Sequence, residues 1–137
     1  MSTRASGSPD SRDQIPGRLS DVGPGWHPLL RSLHDQLAAL APDYRLEELT
    51  VKLGGLRLYV ADRFDADGEF DGDWADAAGA LTDAAELAAE KTCESCGGPG
   101  RPRFHGDRHG TWIRTLCDPC RTNRSAAATE AEQAPVA

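Results

Sequence analysis

Two Cys-x-x-Cys pairs, Cys93/Cys96 and Cys117/Cys120, stand twenty residues apart and account for every cysteine in the chain. No other feature constrains the fold as much. A Cys-x-x-Cys turn lets two sulfurs converge on one metal, and a second pair at this distance closes a tetrahedron from the far side. Gly97 and Gly98 follow the first pair, where the turn needs backbone freedom. Asp118 and Pro119 lie inside the second pair and suit the N-cap and first position of a helix starting at Pro119. Between the pairs, Arg103-Phe104 and Thr111 to Leu116 flank a Gly-containing turn from His105 to Gly110, which predicts a hairpin. His105 and His109 fall in that turn and are read as facing solvent.

Disulfides and redox dithiols are the competing readings of the cysteines. No signal peptide is visible, so a reducing, cytoplasmic setting is expected, which disfavours disulfides. No thioredoxin-like βαβ pattern surrounds either pair. The expectation is one structural Zn2+ held by Cys93, Cys96, Cys117 and Cys120. Knuckle, hairpin and ligand-bearing helix make a treble clef. A zinc ribbon, with two knuckles and no helix, is the alternative.

The rest of the chain must supply a small core. Trp26, Leu30, Leu33, Leu37 and Leu40 recur at helical spacing, predicting a helix over 28–41, with Pro28 in its first turn and Pro42 ending it. His34 lies off that stripe and is expected to be exposed. Residues 44–61 read as a β-hairpin turning at Gly54-Gly55. That turn pairs Leu53 with Leu56, Val51 with Leu58, Leu49 with Val60, Thr50 with Tyr59 and Lys52 with Arg57. A bulge near Glu47-Glu48 brings Tyr44 and Leu46 into phase. The acidic run 62–73 does not match a calcium loop, since Arg63 and Trp74 fall where ligands belong, and it reads as a solvated loop. Asp73 can cap a helix from Trp74 to about Lys91, buried through Trp74, Ala77, Ala78, Leu81, Ala84, Ala85 and Ala88. Gly79 costs about 1 kcal/mol inside that helix.

These elements define an α+β chain. An α-β-β-α unit over residues 25–91 precedes a zinc module over 92–124 that packs on it as one domain. Residues 1–24, with almost no large apolar side chain, are expected to be a disordered tail, and residues 125–137 a disordered tail or the frayed end of the last helix.

Gly25-Trp26-x-x-Leu29, the run Val51-Lys52-Leu53-Gly54-Gly55-Leu56-Arg57-Leu58-Tyr59, Cys93-x-x-Cys96-Gly97-x-Pro99-Gly100 and Trp112-Ile113-x-Thr115-Leu116-Cys117-Asp118 follow one another in the chain. This order resembles small, poorly characterised bacterial and phage proteins that share a K-F-G-x-L-R-F-Y hairpin and a C-x-x-C-G-x-P-G zinc knuckle. The likeness covers residues 25–120. Leu53 and Leu58 stand where that pattern has Phe. The resemblance implies an α-β-β-α-zinc unit and no activity.

Charge narrows the function. The chain of 137 residues carries a net −7. Residues 1–90 hold 8 basic and 17 acidic side chains, a net −9, whereas residues 91–124 hold 7 basic and 3 acidic, a net +4. A four-thiolate site is coordinatively closed and has no position for a reacting water. No GxSxG, HExxH, Walker A or GxGxxG motif occurs, and no apolar run is long enough to span a membrane. The chain reads as a non-enzyme without a small-molecule substrate. A protein-interaction or regulatory accessory module is favoured, because the net charge is negative. The alternative is a nucleic-acid-binding module that uses Arg101, Arg103, Phe104, Arg108, Trp112, Arg114 and Arg121 for phosphate contact and stacking.

Overall fold

The computed structural model of the chain describes residues 11–108 and 110–123. The two expected tails therefore lie outside the described residues for 1–10 and for the stretch from 125 onward. Helices and strands are mixed. Three short 3-10 turns (Ser11–Asp13, Ile15–Asp21, Pro24–Trp26) lead into α1 (His27–Leu40). An antiparallel pair, β1 (Leu46–Lys52) and β2 (Gly55–Val60), precedes α2 (Gly72–Ala89). A second pair, β3 (Arg101–Asp107) and β4 (Gly110–Leu116), follows the first two cysteines.

The core forms where α1 and α2 meet one face of the β1–β2 hairpin. Trp26, Leu30, Leu33 and Leu37 are fully buried or nearly so, as the helical stripe requires. Each such leucine contributes about 1.5–3 kcal/mol through burial. Leu40 departs from the stripe and is 53% exposed. The helix ends there, and Ala41 leaves it in an extended conformation and turns its own methyl into the core.

Order begins earlier in the chain than its composition suggests. Ile15 and Val22 are buried in the same core, which corrects the expected disordered tail for residues 11–24. The physical reason is a polar anchor. Tyr44 is fully buried, and its hydroxyl oxygen accepts the backbone N–H of Ile15 at 3.1 Å. The same hydroxyl lies 2.7 Å from His34 Nδ1, to which it can donate its own proton. Gln14 Nε2 donates to the carbonyls of Pro42 and Tyr44, both at 2.9 Å. His34 is thus half-buried and bonded, where exposure was expected. Burial raises the pKa of Tyr44, so the neutral phenol is favoured.

The hairpin turns one residue earlier than Gly54-Gly55. Its central residues are Leu53 (φ +54°) and Gly54 (φ +79°), the signs of a type I′ turn. Lys52 therefore faces Gly55, Val51 faces Leu56, Thr50 faces Arg57 and Leu49 faces Leu58. The expected like-charge pair of Lys52 with Arg57 does not form. The expected bulge does, between Leu46 and Glu48. Gly54 decides the turn, for a Cβ there would lie 2.7 Å from Ile113 Cγ2 on β4. Leu53 is left in the left-handed region that non-glycine residues rarely occupy.

Helix α2 starts two residues before its expected position. Asp71, not Asp73, caps it and accepts the Trp74 N–H at 2.9 Å. Its buried face is Trp74, Ala78, Thr82, Ala85 and Ala89, rotated from the alanine stripe, and Ala84 is exposed. Glu86 Oε2 accepts the Leu58 N–H at 3.0 Å and so covers the free edge of β2.

Tyr44→Phe removes the acceptor of a buried N–H. It should lower stability by about 1–2 kcal/mol in urea unfolding. An unchanged midpoint would show that Ile15 is not anchored through this hydroxyl.

Candidate metal centre

Four thiols from two distant turns converge at one point. The Sγ atoms of Cys93, Cys96, Cys117 and Cys120 all lie within 4.8 Å of one another. Cys96 Sγ and Cys117 Sγ are 3.7 Å apart. A tetrahedral ion with metal–sulfur bonds of about 2.3 Å spaces its sulfurs about 3.8 Å apart, so the cluster fits one four-coordinate metal. A disulfide needs about 2.05 Å between sulfurs, and all four cysteines are free.

Local folding explains the convergence. Gly97, at φ +84°, closes the first turn and donates its N–H to Cys93 O at 2.9 Å. Cys93 N–H donates to Gly98 O at 2.7 Å, and a bridge between Thr92 and Pro99 seals the base. Backbone N–H groups then point at the sulfurs. Cys96 N–H lies 3.5 Å from Cys93 Sγ, Gly98 N–H 3.4 Å from Cys96 Sγ, and Cys120 N–H 3.4 Å from Cys117 Sγ. The last contact makes Cys117 the cap of the helical turn over residues 118–123, which carries Cys120. Asp118, expected as that cap, instead turns outward to Arg103.

The thiols do not titrate alike. Burial opposes a charge on Cys93, but hydrogen bonds from the Cys96, Cys117 and Ser95 backbones outweigh it and hold this thiol down at about 6. Cys120 is pushed up to about 12, first by its hydrogen bonds with the Cys117 and Cys93 sulfurs and then by burial. One thiolate therefore forms readily, and the crowding opposes further charge. A divalent cation at the centre removes that opposition, so metal binding and loss of thiol protons are linked.

The knuckle is pressed directly against the start of the helical core. Gly25 N–H donates to Glu94 O at 2.8 Å. A Cβ on Gly25 would lie 2.0 Å from the Cys93 carbonyl oxygen, so only glycine allows this approach. Trp26 Nε1 donates to Thr92 O at 2.9 Å. On the other side, Thr115 Oγ1 donates to Gly54 O at 2.8 Å and ties β4 to the first hairpin's tip.

Glu94, within the first Cys-x-x-Cys pair, is buried. Its carboxylate accepts from Arg114 Nη1 at 3.0 Å and from Thr115 N–H at 3.2 Å. Sequence reasoning missed this residue, and no local signal marks it. Gly23-Pro24-Gly25 ahead of Trp26 was the available signal for the close backbone approach.

The candidate contact residues divide. Arg103 and Arg114 sit directly opposite each other on β3 and β4. Their like charges are offset by Asp118 and Glu94 respectively. The hydrogen bond and charge of Arg103 hold the Asp118 carboxyl below the usual carboxylate range. Both Nε groups are buried without an acceptor among the described residues. These two arginines therefore serve the module internally. Arg101, Arg108 and Arg121 are exposed, as is Phe104. Trp112 is half-buried, with the His105 ring stacked on it at 5.2 Å. β3 is longer than expected and takes in His105, which is half-buried on a strand and not in a solvent-facing turn. His109 lies outside the described residues.

Comparison of the chain with known family models, with curated proteins and with solved structures finds no match. Among the described residues, no helix is long and apolar enough to cross a membrane.

Gly25→Ala should cost about 3 kcal/mol in denaturant unfolding, by forcing the knuckle off the core. Gly79→Ala is the control, since its added methyl meets nothing within 4 Å, and it should stabilise by about 0.5–1 kcal/mol. Equal effects of the two would contradict the close approach at Gly25.

Proposed function

We propose that this chain is a non-enzymatic protein-interaction module stapled by one structural zinc ion, in which the metal builds a surface and performs no reaction. The observation that carries the reading is the convergence of four thiols, with no other donor grouped with them among the described residues. Cys93, Cys96, Cys117 and Cys120 would hold the ion, and four thiolates leave no open position for water or substrate. Zinc is the proposed metal because soft thiolates in a tetrahedral array select it, with iron the chemical competitor. The helical turn over residues 118–123 carries Cys120, which favours a treble clef over a ribbon.

A protein partner is favoured over nucleic acid. Arg103 and Arg114, the central pair of the basic hairpin, are already engaged by carboxylates. What remains exposed on the module is Arg101, Arg108 and Arg121 at its edges together with the ring of Phe104. A large exposed aromatic on a rigid hairpin suits a protein contact. A cytoplasmic setting belongs to this proposal, since reduced thiols are needed to bind the metal. So does kinship with the small zinc-knuckle proteins, which adds no activity.

Freshly purified protein should contain one zinc per chain by elemental analysis. Cys93→Ser or Cys117→Ser should abolish it and unfold at least the region after Lys91. Less than half an equivalent of zinc, or iron in its place, would contradict the assignment. Zinc affinity should weaken as pH falls, because protons compete with the metal for the thiolates. An affinity that does not change with pH would show that binding is not linked to loss of thiol protons.

A further inference from the structure

Two exposed apolar features lie at opposite ends of the β1–β2 hairpin. At its tip is an open cleft of about 400 Å³, lined by Val51, Leu53, Phe104, Trp112, Ile113 and Arg114 among others. Leu53 is 75% exposed and Phe104 65%. Both are held in place, Leu53 by the turn docked on Ile113 and Phe104 by its pairing with Ile113. Cations flank the tip. Exposed Lys52 pairs with Gly55, and the Arg57 guanidinium lies beside Gly55.

The second feature is the loop after β2. Phe64 and Phe70 bridge across it and meet edge to face at 5.9 Å, yet they are 61% and 53% exposed. The loop has a defined shape. Asp65 Oδ1 accepts the N–H groups of Asp67 and Glu69 at 2.8 and 2.9 Å, and Asp65 O accepts from Gly68. Residues 62–73 hold 6 acidic side chains and 1 basic one, Arg63. That arginine pairs with Asp43 and lies over Trp74. The loop therefore presents two fixed aromatic rings in a ring of carboxylates.

The two features complement each other in polarity and in charge. Six residues of β2, at about 3.3 Å each, separate them by about 20 Å. A loop fixed at the far end of the strand cannot fill the cleft of its own chain. We infer that residues 64–70 of one copy seat in the tip cleft of the next, as a head-to-tail contact between two copies of this chain. Phe64 and Phe70 enter between Leu53 and Phe104, and the loop carboxylates face Lys52 and Arg57. The two surfaces differ, so the contact is heterologous and repeats into open chains or rings. The inference rests on reading the chain as an interaction module and names its partner.

The test is sedimentation velocity of the full, zinc-loaded chain. Samples run from about 5 to about 500 µM, a range that brackets micromolar contacts. Salt is set at about 0.05 M and about 0.5 M, which changes screening severalfold. The mean sedimentation coefficient should rise with concentration past that of a dimer at low salt and fall back at high salt. Phe64→Ser with Phe70→Ser removes the loop's rings, and Phe104→Ser with Leu53→Asn removes the cleft's apolar walls. Each double variant should be monomeric alone. Leu53→Asn by itself relieves a left-handed leucine, so its loss of association cannot come from unfolding. Mixed in equal amounts, the two double variants retain one intact surface each, and they should form a 1:1 dimer and stop there. A chain that is monomeric throughout, or association that survives the loop variant, would overturn the inference. Zinc content is measured on the same samples. A zinc-loaded monomer therefore defeats the head-to-tail contact alone, whereas loss of zinc defeats the module reading.

Discussion

The contact of Gly25 with the carbonyl oxygens of Cys93 and Glu94 is the constraint on which the rest of the structure depends. At that point the start of the helical core and the turn holding Cys93 and Cys96 share one backbone surface. No side chain separates them. A second tie, from Thr115 to Gly54, fixes the hairpin tip to β4. With both ends held, displacement of the Cys93–Cys96 turn is felt at Trp26, and displacement of β4 is felt at the β1–β2 turn. The left-handed Leu53 belongs to this balance. Its strain, of order 1–2 kcal/mol, is offset by the docking of Gly54 on Ile113.

Charge is arranged to serve the same junction. The basic residues of the second hairpin suggest a surface for anions when counted along the chain. In the fold, two of them face each other across β3 and β4 and are neutralised by Asp118 and Glu94. Glu94 also accepts the Thr115 N–H, so one buried carboxylate links a knuckle, an arginine and a strand. Removing a partner from a buried pair leaves a charge without compensation. Arg114 is thereby a structural residue first.

What the sequence revealed followed from how local each signal was. The cysteine spacing anticipated the convergence of the four thiols, because two short turns and one distance define it. The leucine stripe located α1, since 3.6-residue periodicity survives in any amphipathic helix. The bulge near Glu47 was legible from the phase of Leu46 against Leu49. The hairpin turn was not, since Leu53-Gly54 and Gly54-Gly55 both suit a two-residue loop. A contact 59 residues away, Gly54 on Ile113, selects the first. Ile15 looked isolated in a polar segment because the hydroxyl that anchors it, on Tyr44, is 29 residues away. Glu94 gave no signal for the same reason, its function being set by a strand that forms twenty residues later.

The most direct measurement is hydrogen exchange of the metal-loaded chain against the chain stripped by a chelator, read by mass spectrometry on peptides covering 20–30, 50–60 and 90–120. If the knuckle and the core share one surface, stripping should release protection at 90–120, and the loss should extend to Gly25-Trp26 and to the Gly54 turn. Faster exchange confined to 90–120, with 20–30 and 50–60 unchanged, would contradict the account.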